Sequence, residues 1–515
     1  MSLPLDLMMF AALMALILLG FPVAFTIAGV AVLFAFAGEV TGAMSLSLMG
    51  ALGQRVFGVL TNAVLIAIPL FVLMGVVLEK SGLAEALLET MGRLMGRLRG
   101  GLGLSVIAVG ALLAASTGIV GATVIAMGLI ALPTMLRSGY DCRLAAGIVC
   151  TAGTLGQIIP PSTLLIILSD VMSNAHQQAQ YEQGLFTVET ISVGQVFAAA
   201  LLPGLVLVLL YAAYVLALAW LAPARAPAAD TGGQPSAGEV ARTVAPPILL
   251  IVAVLGAILG GVATPTEAAS VGAVGAVLMA GRRRGASPRL ILAGAAALLA
   301  LAVAAGLAPV RLQRSDAGAG DWALGALYAG LAALGLAALA AALLRLGRQG
   351  VLGAVVRQTM VVTSMIFATI LTASVFSLVF VGLGGEERIA GILAAMPGGP
   401  NGALLFAMAL IFVLGFFLDF VEIAVILLPL LLPPLLLMGH DPLWLAVLVA
   451  VNLQTSFLTP PFGFSLFYLR SAAPPEITTG DIYRGVAPFI ALQILGMGLV
   501  WLLPALVRWL PAAVF

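Results

Sequence analysis

Two stretches of this chain combine hydroxyls, amides, glycines and paired prolines in a way suited to holding ions inside a membrane. The first runs Gly153-Thr154-Leu155-Gly156-Gln157-Ile158-Ile159-Pro160-Pro161-Ser162, within an apolar run from about Leu144 to Leu168. Roughly 20 residues suffice to cross a bilayer. Adjacent prolines are expected to break a helix, because each removes a backbone donor and the second disfavours helical geometry at its predecessor. A spanning segment must satisfy its backbone, so such a break belongs where protein or a watery cavity meets it. The stretch therefore reads as two half-helices joined near mid-membrane. Freed carbonyls there can face a cation, and the N-terminus of the second half-helix can face an anion. The same device recurs as Leu453-Gln454-Thr455-Ser456-Phe457-Leu458-Thr459-Pro460-Pro461-Phe462-Gly463. One break could be a packing kink; two in matching halves point to a transporter site.

The rest of the chain must position those hinges. Of 515 residues, 62% are hydrophobic and 8% charged, which reads as an all-α polytopic membrane protein. A net charge of +1 gives no reason to expect nucleic acid. Cys142 and Cys150 are too few for a disulfide framework and match no metal motif. Met1-Ser2-Leu3-Pro4-Leu5-Asp6 has no basic residue before its apolar run, so the first span is expected to be retained.

Residues 3–37 read as two short spans turned at Gly20-Phe21-Pro22, and 60–78 as the next. Leu83 to Leu98 reads as a helix in the membrane interface, with Leu87, Met91, Leu94 and Leu98 on one face and Arg93, Arg97 and Arg99 supplying charge. A plain connector is the alternative. The stretch 102–137 is broken at Ser116–Thr123, which suits a re-entrant hairpin with a polar tip better than two very short spans. The broken helix, about 144–170, is followed by a polar loop at 170–194 without Lys or Arg. A span at about 195–221 and a Pro/Ala/Gly-rich linker at 223–244 complete this half. The second half opens with a pair at about 245–281, jointed at Gly261-Val262-Ala263-Thr264-Pro265-Thr266-Glu267. Spans follow at about 290–308, 322–344 and 358–381, then a short amphipathic piece with Glu386, Glu387 and Arg388. A second hairpin at about 403–438 holds Asp419 and Glu422 as its charges. The second broken helix, about 443–470, and a last span, about 486–510, end the reading.

The repeat can be checked by subtraction. Pro22 to Pro265 is 243 residues, Gly82 to Gly384 is 302, and Pro160 to Pro460 is 300. The jump of 302 − 243 = 59 is an inserted two-span hairpin at about 282–345; from Pro203 to Pro488 the offset falls to 285, the polar loop supplying the difference. The organisation is two repeats, 1–222 and 245–515, joined by the linker. Arg93/Arg97/Arg99, Arg137/Arg143, Arg225/Arg242, Arg282–Arg284, Arg345/Arg348/Arg357 and Arg470/Arg484 fall in loops that alternate correctly to be cytoplasmic. The hairpins then enter from opposite faces, the repeats are inverted, and both termini lie outside. Arg55, Arg311 and Arg314 are exceptions.

Five motifs in order now carry a resemblance: Ser116-Thr117-Gly118-Ile119-Val120-Gly121-Ala122-Thr123; Gly156-Gln157-Ile158-Ile159-Pro160-Pro161-Ser162; Ala263-Thr264-Pro265-Thr266-Glu267-Ala268-Ala269; Asn452-Leu453-Gln454-Thr455; and Leu458-Thr459-Pro460-Pro461-Phe462-Gly463. Their order resembles the large membrane subunit of tripartite ATP-independent periplasmic (TRAP) transporters, over nearly the whole chain apart from 282–345 and part of 170–194. The resemblance implies an elevator-type, sodium-coupled importer of organic acids in the bacterial inner membrane. It also implies a small four-span membrane partner, a soluble periplasmic binding protein that delivers substrate, and no cofactor beyond Na+ as coupling ion.

Half-helix N-termini offer N–H donors and about half a unit of positive charge to a carboxylate without adding a cation that must be desolvated. On this reading Ser116, Thr117, Gly118, Thr123, Gln157, Pro161, Ser162 and Thr459 are the candidate substrate contacts. Sodium needs several oxygens, which unwound backbone supplies without formal charge. Gly153, Gly156, Pro160, Asp419, Asn452, Thr455, Pro460 and Gly463 are the candidate sodium contacts. For each small residue alone, ordinary helix packing is the competing explanation. A carboxylate at a helix centre costs about 2.5–3.5 kcal/mol on insertion scales, so Asp419 should face a cavity or a partner. Aligning Pro133 with Pro429 places it opposite Thr123; Asp419 and Glu422 also form a capping pair, and the two roles are compatible. Glu267 fits a capping box with Thr264 and Pro265. His176 and His440 lie in loops, and Cys150 has no evident histidine partner, so no enzyme site emerges. A channel needs no pair of inverted hairpins. A sodium/carboxylate symporter of similar hairpin design, working without a binding protein, is the closest rival.

Overall fold

A computed structural model describes residues 4–117, 120–229, 233–310 and 318–515; the side chains of 114–117 are not described. Among the described residues there is no β-strand, and nine helices are long and apolar enough to cross a membrane. The chain is a multi-pass α-helical membrane protein.

Its helices start where the sequence offers caps and turn where it offers glycine. α1 (Leu5–Leu18) and α2 (Val23–Thr41) meet at Gly20, which has φ +87°. A 3₁₀ turn (Leu46–Ala51) leads into α3 (Leu52–Leu60). α4 (Ala67–Lys80) bends by 60° into α5 (Leu83–Met95). α6 (Gly101–Thr117) and α7 (Val120–Arg137) pack side by side as a helical hairpin. α8 (Cys142–Thr154), a 3₁₀ turn (Leu155–Gln157) and α9 (Thr163–Glu182) form the first broken helix. α10 (Val193–Leu221) begins at a Ser192–Gln195 capping box. In the second half come α11 (Ala237–Leu259) and α12 (Pro265–Arg283), the latter started by the expected Thr264–Glu267 box with proline first. α13 (Pro288–Leu307), α14 (Ala319–Arg348), α15 (Val351–Gly382) and α16 (Gly385–Ala394) follow. The second hairpin is α17 (Gly399–Leu414) against α18 (Phe420–Glu422), a π turn (Ile423–Leu427) and α19 (Leu428–Leu437). α20 (Pro442–Leu458) and α21 (Phe464–Ala472) form the second broken helix, and α22 (Thr479–Leu502) and α23 (Ala505–Val514) end the described chain.

Several expectations need correcting. The polar stretch 170–194 is no loop in its first part: α9 runs to Glu182 because Met, Ala, Gln and Glu favour helix and the first breaker is Gly184, at φ +76°. The linker is shorter than 223–244, since Ser236 accepts from the Glu239 amide and starts α11 there. The last span is interrupted at Leu503-Pro504, where proline removes a helix donor. α5 buries Leu83, Leu87 and Leu88 against α6 and ends at Met95, short of the expected Leu98; Leu94 and Leu98 are exposed.

Hydrogen bonds gather the arginine-bearing loops at one end of the molecule. Gly100 donates to Ala226, Ala229 to Gly96 and Asp141 to Arg225; Arg93 pairs with Glu239, Arg143 with Asp481, and Arg284 donates to the Lys80 carbonyl. The opposite end is tied differently: Asn62 to Asp170, Thr266 to the Ala63 carbonyl, Gln178 to Glu386, and Arg388 to a fully buried Asp6. α13 and α14 pack on each other, with Tyr328 donating to the Ala304 carbonyl, and α14 seats on α12 and α15. Gly281 allows that seat, because a Cβ there would collide with Ala342; Ala329 and Gly330 are exposed.

Overpacking a close helix contact costs typically about 1–3 kcal/mol. Gly281→Leu is therefore expected to lower the thermal unfolding midpoint of the purified chain. Gly330→Leu, which meets nothing within 4 Å, should leave it unchanged. Equal midpoints for both variants would remove α14 from the supporting framework.

Candidate functional site

The first break is shaped by Pro160-Pro161, whose peptide is cis, as is Pro460-Pro461. α8 is capped at its outer end by Asp141, which accepts from Arg143 and Leu144; its counterpart Asp441 accepts from Trp444 and starts α20. Ser162 precedes α9 but does not cap it: its hydroxyl donates back to the Gln157 carbonyl at 3.0 Å. Gly463 precedes α21, also without a side-chain cap, and its amide closes a turn onto the Thr459 carbonyl.

The first break is buried throughout, whereas Pro461 and Phe462 of the second are exposed. Gly153, Gly156, Gln157, Pro160, Pro161, Ser162, Asn452 and Thr455 are all buried; Thr459 and Pro460 are partly so. Many freed carbonyls already have partners. Thr459 donates to Thr455, Ser465 to Phe457 at 2.7 Å, and Tyr483 to Pro461 at 2.8 Å. Asn452 donates to the Met408 carbonyl on α17, and Thr455 to Val451 on its own helix. Gly153 has a packing explanation: a Cβ there would collide with Val124 of α7, so the space expected for an ion's approach belongs to the hairpin. Gly415 near the second tip similarly admits Ser456 of α20.

The two breaks touch. Gln454 Nε2 donates to Thr154 Oγ1 at 3.3 Å, and both residues are fully buried. These positions lie 300 residues apart, the same interval as Asp141 to Asp441 and Pro160 to Pro460. Around this contact, Gln157 Oε1 and Nε2, Gln454 Oε1 and Thr151 Oγ1 are buried and find no hydrogen-bond partner among the described residues. An unsatisfied buried polar group costs about 1–3 kcal/mol, so such a group calls for a polar ligand or an ion. Thr151, Thr154 and Gln454 were missed as site residues. The 300-residue spacing that pairs Thr154 with Gln454 was the available signal.

Each hairpin leans on the other half's broken helix: α7 packs on α21, and α19 on α9. Among the tip residues, Thr123 is buried on α7; Ser116 and Thr117 end α6 with side chains not described, and Gly118 lies outside the described residues. At the second tip the capping pair forms as expected. Asp419 Oδ1 accepts from the Phe420 amide at 2.7 Å, and the Asp419 amide donates to Glu422 Oε2 at 2.9 Å. The expected pairing of Asp419 with Thr123 does not hold in register. α7 ends at Arg137 and α19 at Leu437, and the caps that follow, Asp141 and Asp441, keep the same interval, so the offset is 300 and Pro133 answers to Pro433. Asp419 therefore answers to residue 119. The shared interval at the ends of the inner arms overrides the proline match used to align them. Phe417 and Phe462 lie 5.3 Å apart and join this tip to the second break. His440 stands at the turn before α20, whereas His176, expected in a loop, lies within α9; no group of three His, Cys, Asp or Glu residues suited to a metal occurs among the described residues.

Comparison with known proteins agrees with this arrangement. The family profile "Tripartite ATP-independent periplasmic transporter, DctM component" matches residues 10–308 and 317–506. That match runs through most of α13 and α14, against the expectation that 282–345 stands outside the likeness. Similar proteins include the C4-dicarboxylate TRAP transporter large permease protein DctM of Pseudomonas aeruginosa, 28% identical over 89% of each chain. The protein of the same name from Vibrio cholerae is 26% identical over 87% of this chain and 85% of its own. The ectoine TRAP transporter large permease protein TeaC of Halomonas elongata is 24% identical over 98% of both. In three dimensions the chain shares the fold of the Alcanivorax borkumensis YdaH transporter, with a TM-score of 0.54 and 16% identity, over 89% of this chain and 88% of that one.

The Thr154–Gln454 contact should couple the two breaks energetically. Thr154→Val and Gln454→Leu are each expected to destabilise the chain by about 1–3 kcal/mol, and the double variant by less than the sum. Additive losses in denaturant unfolding would show that the two halves do not meet through this pair.

Proposed function

Because the chain belongs to the DctM component of the tripartite ATP-independent periplasmic transporters, we propose that it is the large membrane subunit of a sodium-coupled, binding-protein-dependent importer of organic acids. The observation that carries this reading is the central contact of two Pro-Pro breaks, with unpartnered polar atoms of Gln157, Gln454 and Thr151 around it. A carboxylate would be met by the N-termini of α7 and α9, which add partial positive charge without a buried cation. Ser116, Thr117, Thr123, Gln157 and Ser162 would orient it. Sodium would take those carbonyls of the breaks that hydroxyls have not already engaged, with Asp419 adding charge at the second tip.

In this reading the two halves are inverted repeats. Each hairpin clamps the other half's broken helix, so α6–α9 and α17–α21 would travel as one body past α2, α4, α12 and α15, which is an elevator. Sodium binding would draw the tips onto the breaks and complete the anion site, coupling the two species. Relatives named as large permease proteins support partnership with a small membrane subunit and a soluble binding protein. The gathering of the arginine loops at one end supports a cytoplasmic face there, in the bacterial inner membrane.

Uptake of a C4-dicarboxylate such as succinate by proteoliposomes with both membrane subunits and the binding protein is expected to require sodium and no ATP. Undiminished accumulation with sodium absent on both sides would refute the coupling. Asp419→Asn keeps a capping side chain and removes the charge. It is expected to raise the sodium concentration for half-maximal uptake roughly tenfold, as for losing a charge-assisted contact of about 1.5–3 kcal/mol. Unchanged sodium dependence at normal expression would make Asp419 a cap alone.

A further inference from the structure

We propose that the cavity between α3, α9 and α15 is a carboxylate-binding vestibule in which Arg55 supplies the cation. Arg55 stands out by position, because it breaks the arrangement that puts arginines at one end. It lies instead at the end where Asn62, Asp170, Gln178 and Glu386 are joined. Other described arginines there are neutralised: Arg388 pairs with Asp6, and Arg508 with Asp441 at 3.2 Å. Among the described residues, Arg55 takes part in no ion pair.

The local structure explains how a lone arginine is kept there. α3 is a short helix with Phe57 and Leu60 exposed on its outer side. Arg55 lines a cavity of about 260 Å³ together with Asp170, Asn174, Gln178, Ser374 and Ser377. That is a little below the ~300 Å³ where drug-sized sites begin, and so suits a small acid. Asp170 forms no ion pair with Arg55 among the described residues; its oxygens accept instead from Asn62 Nδ2 at 2.8 Å and Asn174 Nδ2 at 3.4 Å. Glu386 is taken by Gln178. The guanidinium fork thus remains the open charged donor, and a planar carboxylate is the group it binds best.

A second cavity gives an internal comparison. It is larger, about 420 Å³, and shares Asp170 and Asn174 with the first, but no Lys or Arg lines it. Asp170 therefore faces both spaces, and Arg55 distinguishes them. The first cavity also adjoins Val425 and Pro429 of the second hairpin's inner arm. It lies on the seam between α15 and the elements of the proposed moving body. An acid held there would be stationed before the central site. This deepens the transport reading and rests on it, but binding at the cavity can be measured without transport.

The test uses the full chain with Cys142 and Cys150 replaced by alanine and a single new cysteine, Ser377→Cys in the first cavity or Gln177→Cys in the second. Modification rates are compared for a sulfonate-bearing and a quaternary-ammonium methanethiosulfonate reagent, with and without succinate. With Arg55 present, the sulfonate-to-ammonium rate ratio at Ser377→Cys is expected to be about tenfold higher than with Arg55→Gln, and succinate should slow the reaction. Arg55→Lys should keep the preference, which separates charge from shape. At Gln177→Cys neither the ratio nor succinate protection should depend on Arg55. A ratio at Ser377→Cys indifferent to Arg55→Gln, or no protection by succinate, would overturn the vestibule. Protection there with sodium-independent uptake would leave the vestibule standing and overturn the coupling instead.

Discussion

In a hydrocarbon environment, backbone N–H and C=O groups must find partners within the protein, and the rest of this structure depends on that constraint. Pro160-Pro161 and Pro460-Pro461 interrupt two buried helices and release carbonyls and amides where water is scarce. The protein answers locally where it can: Ser162 turns back to Gln157, Thr459 to Thr455, Ser465 to Phe457, and Tyr483 reaches Pro461. It answers across the molecule where it cannot, with Gln454 of one half meeting Thr154 of the other. Among the described residues, polar atoms of Thr151, Gln157 and Gln454 are left over beside that contact, while others, such as those of Gln493, Thr359 and Asp6, lie elsewhere.

The same constraint shapes the packing. Hairpins α6–α7 and α17–α19 stand beside the broken helices, and each lays its second arm on the other half's second half-helix. Gly153 and Gly415 matter because they let these elements approach closely enough to exclude lipid from the breaks. Outside this body, α2 and α4 pack on α15, and α12 on α4 and α14, forming a second framework. The two are joined by apolar packing of α4 on α6 and of α15 on the π turn, and at one end by polar contacts such as Asn62 to Asp170 and Gln178 to Glu386. Such contacts can break and reform in water far more cheaply than a packed apolar seam can.

What could be read from the sequence was local. Prolines, glycines and the Thr264–Glu267 and Asp419–Glu422 boxes act within a few residues, so the joints they mark were legible, whereas the ends of α9 and α22 and the start of α11 were not. What depended on tertiary contacts was not. The polar surface of α9 beyond Asp170 suggested a loop, because its side chains serve cavities and cross-chain bonds rather than an apolar stripe. Gly153 suggested an ion's approach, because nothing in the sequence shows Val124 beside it. The register of the hairpins followed a misleading proline, Pro429, when Pro433 was its true counterpart. Thr154 and Gln454 were visible only as polar residues in apolar runs until the fold brought them together.

The central claim is that α6–α9 and α17–α21 move as one body past the α4, α12 and α15 framework. Distances between spin labels test it directly, with one pair at Arg137 and Ser287 across the two bodies and a reference pair at Ser287 and Val356 within the framework. In the complex with the proposed small subunit, the Arg137–Ser287 distance should show two populations whose ratio shifts with sodium and substrate, while the Ser287–Val356 distance stays single. A single unchanged Arg137–Ser287 distance under all conditions, with sodium-driven uptake intact, would contradict the account.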